Sequence, residues 1–229
     1  MAHNLRKLTL PAILIITSLT CYAGNQMKEQ LSPEVQAGLH TSIINPIKPH
    51  LVFANTEMAE AWIKDMSNRL KKWVPDDFLR NRYLTIIQYE ATRAGLDPQL
   101  VLSVVTVEGK FNKYAIGTSG ERGMMQIMAF WLNQIGNPNQ DLFDVQTNIR
   151  YGCTILRYYL KRENGNLTRA LARYNGALKL PNYAGYPDRV FSAYNKYWVP
   201  APVATLKQGK LTYVNYSQNN GLQYTDSNS

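Results

Sequence analysis

The chain has 229 residues, 45% of them hydrophobic and 18% charged, with 14 Gly and 11 Pro. That composition excludes an intrinsically disordered chain, a collagen and a disulfide scaffold, and the length allows one large domain or two small ones. Twenty-five Lys and Arg against 16 Asp and Glu give a formal charge of +9, which favours a polyanionic partner: nucleic acid, anionic lipid or a cell-wall polymer.

Arg6 and Lys7 precede an uncharged apolar run from Leu8 to Leu19, too short to span a membrane comfortably. Small residues at Cys21 and Ala23 complete the pattern of a secretory signal peptide, so residues 1–23 are expected to be removed on export. An uncleaved anchor or a lipoprotein at Cys21 is the alternative, although Leu19 and Thr20 fit a lipobox poorly. Removal leaves Cys153 alone, which rules out an intramolecular disulfide. Ile149, Cys153, Leu156 and Leu160 recur at helical spacing, so the thiol reads as a core residue. His3, His40 and His50 form no ligand pair, and neither a metal nor a cofactor is expected.

Residues 24–55 carry Pro33, Pro46 and Pro49 with little periodicity and read as an irregular N-terminal segment. Thr56 is a candidate N-cap, and Met58, Trp62, Met66 and Leu70 predict an amphipathic helix to about Lys72. Helices are expected from Phe78 to Ala94, stopped by Gly95, and from Pro98 with Asp97 as N-cap. The interval from Asn112 to Gly120 has room for a short hairpin, and helical spacing returns from Arg122 to Gln134. Asp144 caps a long helix that stops at Gly165, and a shorter one runs from Leu167 to Asn175 with Gly176 as its left-handed cap. Pro187 opens the last helix, which carries Val190, Phe191, Tyr194 and Trp198 before Pro200. Residues 199–229 read as a flexible polar tail. The sum is a mainly α protein with at most a small β-hairpin, its domain at residues 56–198. No dinucleotide fingerprint, P-loop or nucleophile elbow is present.

Val101, Val104 and Val105 share a helical face with Glu108. A carboxyl group on an apolar face loses hydration, which raises its pKa toward that of a general acid. Periodicity alone leaves a second reading open, a glutamate at a helix end turned to solvent. Four segments decide between them: VEGKF at Val107–Phe111, SGERGMMQIM at Ser119–Met128, ARYNG at Ala172–Gly176 and YPDRV at Tyr186–Val190. In this order they resemble the soluble lytic transglycosylase family. The resemblance runs from about Phe78 to Trp198 and includes GLDPQLV at Gly95 and the stretch from Leu142 to Leu156.

The resemblance implies a lysozyme-like, mostly helical fold that cleaves peptidoglycan between N-acetylmuramic acid and N-acetylglucosamine, leaving a 1,6-anhydro sugar. It implies that Glu108 is the single catalytic acid, with the Tyr174 hydroxyl bonded to its carboxyl and Asn175 beside it. Gln126, Met125 and Met128 are expected to line the sugar groove, Tyr186 to stand in its wall and Gly117 to border it; Met124, Ile127 and Phe130 read as core. The chain departs from the family pattern in four places. Gly109 and Gly117 stand where Ser is usual, Glu121 where a small residue is usual and Ala129 where Pro is frequent. Glu121, in the turn SGERG, reads as solvated. Peptidoglycan strands are the expected partner, with an anionic membrane surface at the periphery and no nucleic acid, and the periplasm is the expected location. A hydrolytic muramidase and a non-catalytic peptidoglycan-binding protein are the alternatives.

Overall fold

The computed structural model describes residues 26–44, 47–181 and 183–199, together with the backbone of 203–207 and 210–214. Residues 1–23, expected to be a signal peptide, lie outside this set. Among the described residues eight helices follow in chain order: α1 Pro33–Ile44, α2 Thr56–Leu70, α3 Asp77–Arg93, α4 Pro98–Glu108, α5 Phe130–Ile135, α6 Val145–Arg162, α7 Leu167–Tyr174 and α8 Gly185–Ala193. A π-helical turn at Tyr194–Trp198 extends α8. The mainly helical, lysozyme-like expectation holds.

Short polar side chains set the helix starts. Asp76, Asp97, Asp144 and Asn166 each accept a backbone N–H of the first turn of α3, α4, α6 and α7, satisfying donors the helix itself leaves open. The α2 cap is Asn55, not Thr56: its Oδ1 accepts the Met58 N–H at 2.9 Å. Gly95, Gly165 and Gly176 all have positive φ where α3, α6 and α7 end.

Three expectations need correction. The 24–55 segment is not irregular throughout, because Leu39 and Ile43 of α1 pack on the core and the helix lies against α5 and α6. Weak helix formers at Gly38, Thr41 and Ile43 hide that helix from propensity, and tertiary packing supplies what propensity lacks. Upstream of α1, Gln26 is 5% exposed, and its Oε1 accepts from Trp131 Nε1 at 3.0 Å. The helix expected over Arg122–Gln134 shrinks to α5, because Gly123 and Gln126 take positive φ and Arg122 bridges Ile116 and Ile127. Within the expected polar tail, β1 (Val203–Lys207) and β2 (Lys210–Val214) pair antiparallel, Val203 opposite Val214.

The core gathers around α4, where every residue from Pro98 to Thr106 is buried. α3 and α8 pack against it, and α6 joins α3 to α7. At its far end Trp198 is fully buried; its Nε1 donates to Thr106 Oγ1 at 2.9 Å and its ring stacks on Trp73. One charged cluster is enclosed with the apolar groups. Glu90 of α3 has no exposed side-chain surface and pairs with Arg150 of α6 and Arg93. Cys153 is a buried free thiol whose pKa is pushed up by burial, as its place on the core stripe implies.

Candidate active site

Glu108 is the last residue of α4, so the packing that buries that helix also places its carboxyl. The chain must turn at once, and Gly109 allows it: a Cβ there would lie 2.8 Å from the Met124 backbone. The family's usual Ser does not fit this approach. Lys110 and Phe111 take left-handed conformations, the Lys110 N–H bonds back to Val105 O at 2.8 Å, and Phe111 packs on Trp73 and Trp198.

The segment opposite Glu108 is a tight loop closed on itself. Gly117 N–H donates to Glu121 O at 2.8 Å, Gly123 N–H to Ala115 O at 2.8 Å, and Arg122 and Ile127 exchange two backbone bonds. Asn148 of α6, 1% exposed, ties the loop to the helical body. Its Nδ2 donates to Arg122 O and Leu142 O at 2.8 and 2.9 Å, and its Oδ1 accepts the Met125 N–H at 2.8 Å. Gly123 could not carry a side chain, since a Cβ would overlap the Asn148 amide and its φ is 76°. Sequence reading missed Asn148; the one available signal was a polar residue on the inner face of a strongly amphipathic helix.

The loop fixes Gln126. Its Nε2 donates to Gly123 O at 2.8 Å and Ala115 O at 3.3 Å, so its Oε1 faces Gly117. Met128 is half-buried, with its N–H directed at Gln26. Met125 is placed differently from expectation: it is fully buried, its thioether filling the space that Gly152 leaves in α6, so it offers no surface to a sugar. Asn175, 6% exposed, is the C-cap of α7.

Two buried tyrosines interact with Glu108 electrostatically. The Tyr174 hydroxyl donates to Met125 O at 2.7 Å and not to Glu108, so it holds the loop while feeling the Glu108 charge. Tyr186 of α8 is the one that meets Glu108. Its hydroxyl is buried without a hydrogen bond of ordinary geometry, yet lies close enough to the carboxyl to favour ionisation. The expectation failed because both tyrosines are wholly enclosed and motif order does not say which hydroxyl points at the acid. Burial raises the pKa of both well above the usual phenol value.

Glu121 is also corrected: it is 4% exposed, not solvated, because its side chain folds over Gly117 and its Oε2 accepts the Ser119 N–H at 2.9 Å. Glu108, half-buried at the end of α4, has its pKa pushed up to about 7. Desolvation is the main cause, with the Tyr186 hydroxyl acting against it, the Glu121 charge adding to it and Arg189 opposing. Below neutral pH the carboxyl therefore keeps its proton and can act as an acid. Turnover limited by that acid should fall about tenfold per pH unit once pH rises past 7, a limb measurable on any cleavable glycan. A flat profile to pH 9 would contradict this.

A cleft of about 830 Å³ lies between α1 and α6, lined by Leu39, Arg157, Tyr158 and Lys161, and neither Glu108 nor Glu121 lines it. Among the described residues no group of three or more His, Cys, Asp or Glu could hold a metal ion.

One desolvated carboxylic acid thus stands at a helix end, facing a loop braced by a buried amide, in a mainly helical domain. Residues 85–195 match the model of the transglycosylase SLT domain. The chain is similar to the membrane-bound lytic murein transglycosylase C of Photorhabdus laumondii, 29% identical over 132 residues, which cover 51% of this chain and 35% of that protein. The protein of the same name from Yersinia pestis is 30% identical over 127 residues, covering 48% and 34%. The chain thus spans about a third of the length of these curated relatives.

Proposed function

We propose that this protein is a peptidoglycan lytic transglycosylase that cleaves the β-1,4 bond between N-acetylmuramic acid and N-acetylglucosamine. The observation that carries this reading is Glu108: an SLT-domain acid, partly open to the groove, that burial keeps protonated to near pH 7. Its proton passes to the glycosidic oxygen as the bond from the anomeric carbon breaks. The substrate's acetamido oxygen supports the positive charge that develops, so no second protein nucleophile is required. The Glu108 carboxylate then takes the proton of the C6 hydroxyl, whose oxygen bonds the anomeric carbon and closes the 1,6-anhydro ring. Glu108 ends as it began, and water takes no part.

The C6 hydroxyl has an advantage over water because it is attached to the reacting sugar, which removes most of the entropic cost of bringing a nucleophile in. Gln126, fixed by two of its own hydrogen bonds, presents Oε1 beside Gly117 to sugar donors, and half-buried Met128 adds apolar surface. Tyr174 supports the loop from behind. A basic chain suits the acidic peptides of the cell wall and an anionic membrane surface, and the periplasm is where such a substrate lies. Among the described residues no helix is long and apolar enough to cross a membrane.

The muramidase reading has one observation in its favour, the burial of Glu121 near Glu108, which places a second carboxylate where a hydrolase could use one. Products decide. Mass analysis of muropeptides from purified sacculi should show 1,6-anhydro-N-acetylmuramic acid, one water lighter than the hydrolysis product and without a new reducing end. Borohydride-reducible muramic ends in their place would establish the hydrolase.

A further inference from the structure

Glu121 differs from the other enclosed glutamates of the domain. Glu90 and Glu163 each carry two arginine partners, whereas Glu121, although 4% exposed, makes no ion pair among the described residues. Enclosing a carboxylate with no cation beside it is costly, and such groups are concentrated where charge is used. Room for it exists because residue 117 is glycine. A Cβ built at Gly117 would overlap Glu121 Oε2 and stand 2.8 Å from both Glu121 Cδ and Gln126 Oε1. The glutamate therefore fills the volume a side chain at 117 would take, and two departures from the family pattern become a single exchange: the side chain is lost at 117 and a carboxylate arrives from 121.

Resting on the assignment of Glu108 as the acid, we propose that Glu121 is its positioning residue: the buried charge seated in the Gly117 notch keeps the reactive proton on the Glu108 carboxyl. Gly109, next to Glu108, lies against the backbone of Gly123 and Met124, so the loop that carries Glu121 abuts the acid, and Tyr186 and Arg189 of α8 and Tyr174 of α7 interact with it electrostatically. Arg189 and the Tyr186 hydroxyl favour the carboxylate, and the Glu121 charge opposes them. A second negative charge near the first is disfavoured, so an ionised Glu121 keeps Glu108 neutral to higher pH. Cleavage then persists into a pH range where Glu108 alone would have lost its proton.

The test uses the full chain carrying Glu121→Gln, which keeps the shape and an oxygen for the Ser119 N–H but removes the charge. The alkaline limb of turnover on sacculi should move to lower pH, so that the variant loses roughly threefold or more relative to wild type at pH 8 while matching it near pH 5. A carbon-13 titration of the Glu108 carboxyl should show the same downward movement with no substrate present. Gly117→Ser alone should lower both melting temperature and turnover by crowding the carboxylate. Gly117→Ser with Glu121→Ala should recover melting temperature but keep the low-pH limb. An unchanged Glu108 titration in Glu121→Gln overturns the inference, whatever the enzyme proves to cleave. Loss of all cleavage by Glu121→Gln at every pH, with reducing-end products from wild type, overturns it in favour of Glu121 as the base that activates water. Wild type inert on sacculi would defeat the proposed activity alone, because the carbon-13 titration still decides the coupling.

Discussion

Glu108→Gln should lower turnover on purified sacculi by about a thousandfold or more while leaving the fold intact, since a positioned acid–base group contributes on the order of 10² to 10⁴ and here one group serves both steps. The amide matches the carboxyl in shape and can neither give nor take the proton. Folding should even benefit at alkaline pH. The Glu108 pKa is raised from 4.5 to about 7 by desolvation, so its favourable contribution is complete below about 4.5 and is lost as pH rises through 7. Above 7 the wild type holds an ionised carboxyl in a desolvated place, and the variant does not. Melting temperatures of the two should therefore converge in mild acid and separate at pH 8 with the variant higher. Near-wild-type turnover in Glu108→Gln would remove the site assignment, and a lower melting temperature at pH 8 would contradict the desolvation argument.

The second large effect is on stability. Arg150 donates to Glu90 Oε1 through Nε at 3.0 Å and Nη2 at 2.8 Å, and through Nη1 to Ile43 O at 3.3 Å, joining α6 to α3 and α1. Glu90 is completely enclosed and shares its other oxygen with Arg93 at 2.9 Å. Arg150→Met should cost about 3 kcal/mol, the low end for breaking a buried pair, because Arg93 still compensates part of the charge. For a domain of this size that is a fall of roughly 6 to 12 °C in melting temperature. Arg150→Met with Glu90→Leu should recover much of it, since two apolar groups leave no charge stranded. A loss below 1 kcal/mol in the single variant would mean that water or Arg93 satisfies Glu90 on its own.

Features written in local chemistry were legible before the structure. Asp97 and Asp144 announce helix starts, and Gly95, Gly165 and Gly176 announce stops, because a cap needs only one side chain and its own turn. Glu108 was legible only in part from local spacing: its apolar neighbours lie three, four and seven residues away on one helix, but the four family-like segments, not that spacing, chose it over a solvent-facing helix end. What failed depended on distant partners. The run from Arg122 to Gln134 has helically spaced apolar residues, yet Asn148, more than twenty residues downstream, holds its backbone in a closed loop. The α1 helix exists through contacts with α5 and α6, about a hundred residues away. Tyr174 and Tyr186 were both found, but which hydroxyl meets the acid depends on how α7 and α8 pack. Glu121 was misplaced because turn composition cannot show that Gly117 leaves a space for its side chain.

The Trp198 clamp bears on the order in which the site comes into being. Trp198 reaches Thr106, two residues before the acid, across a separation of 92 residues, and α8 brings Tyr186 to the same place. Such a long closure forms late relative to local helices. A nascent or unfolded chain thus carries Glu108 as an ordinary, ionised carboxylate with no capacity to protonate a glycosidic bond. The acid is primed only once α8 and the turn that carries Trp198 have docked, so under the proposed activity a partly folded chain cannot cleave glycan.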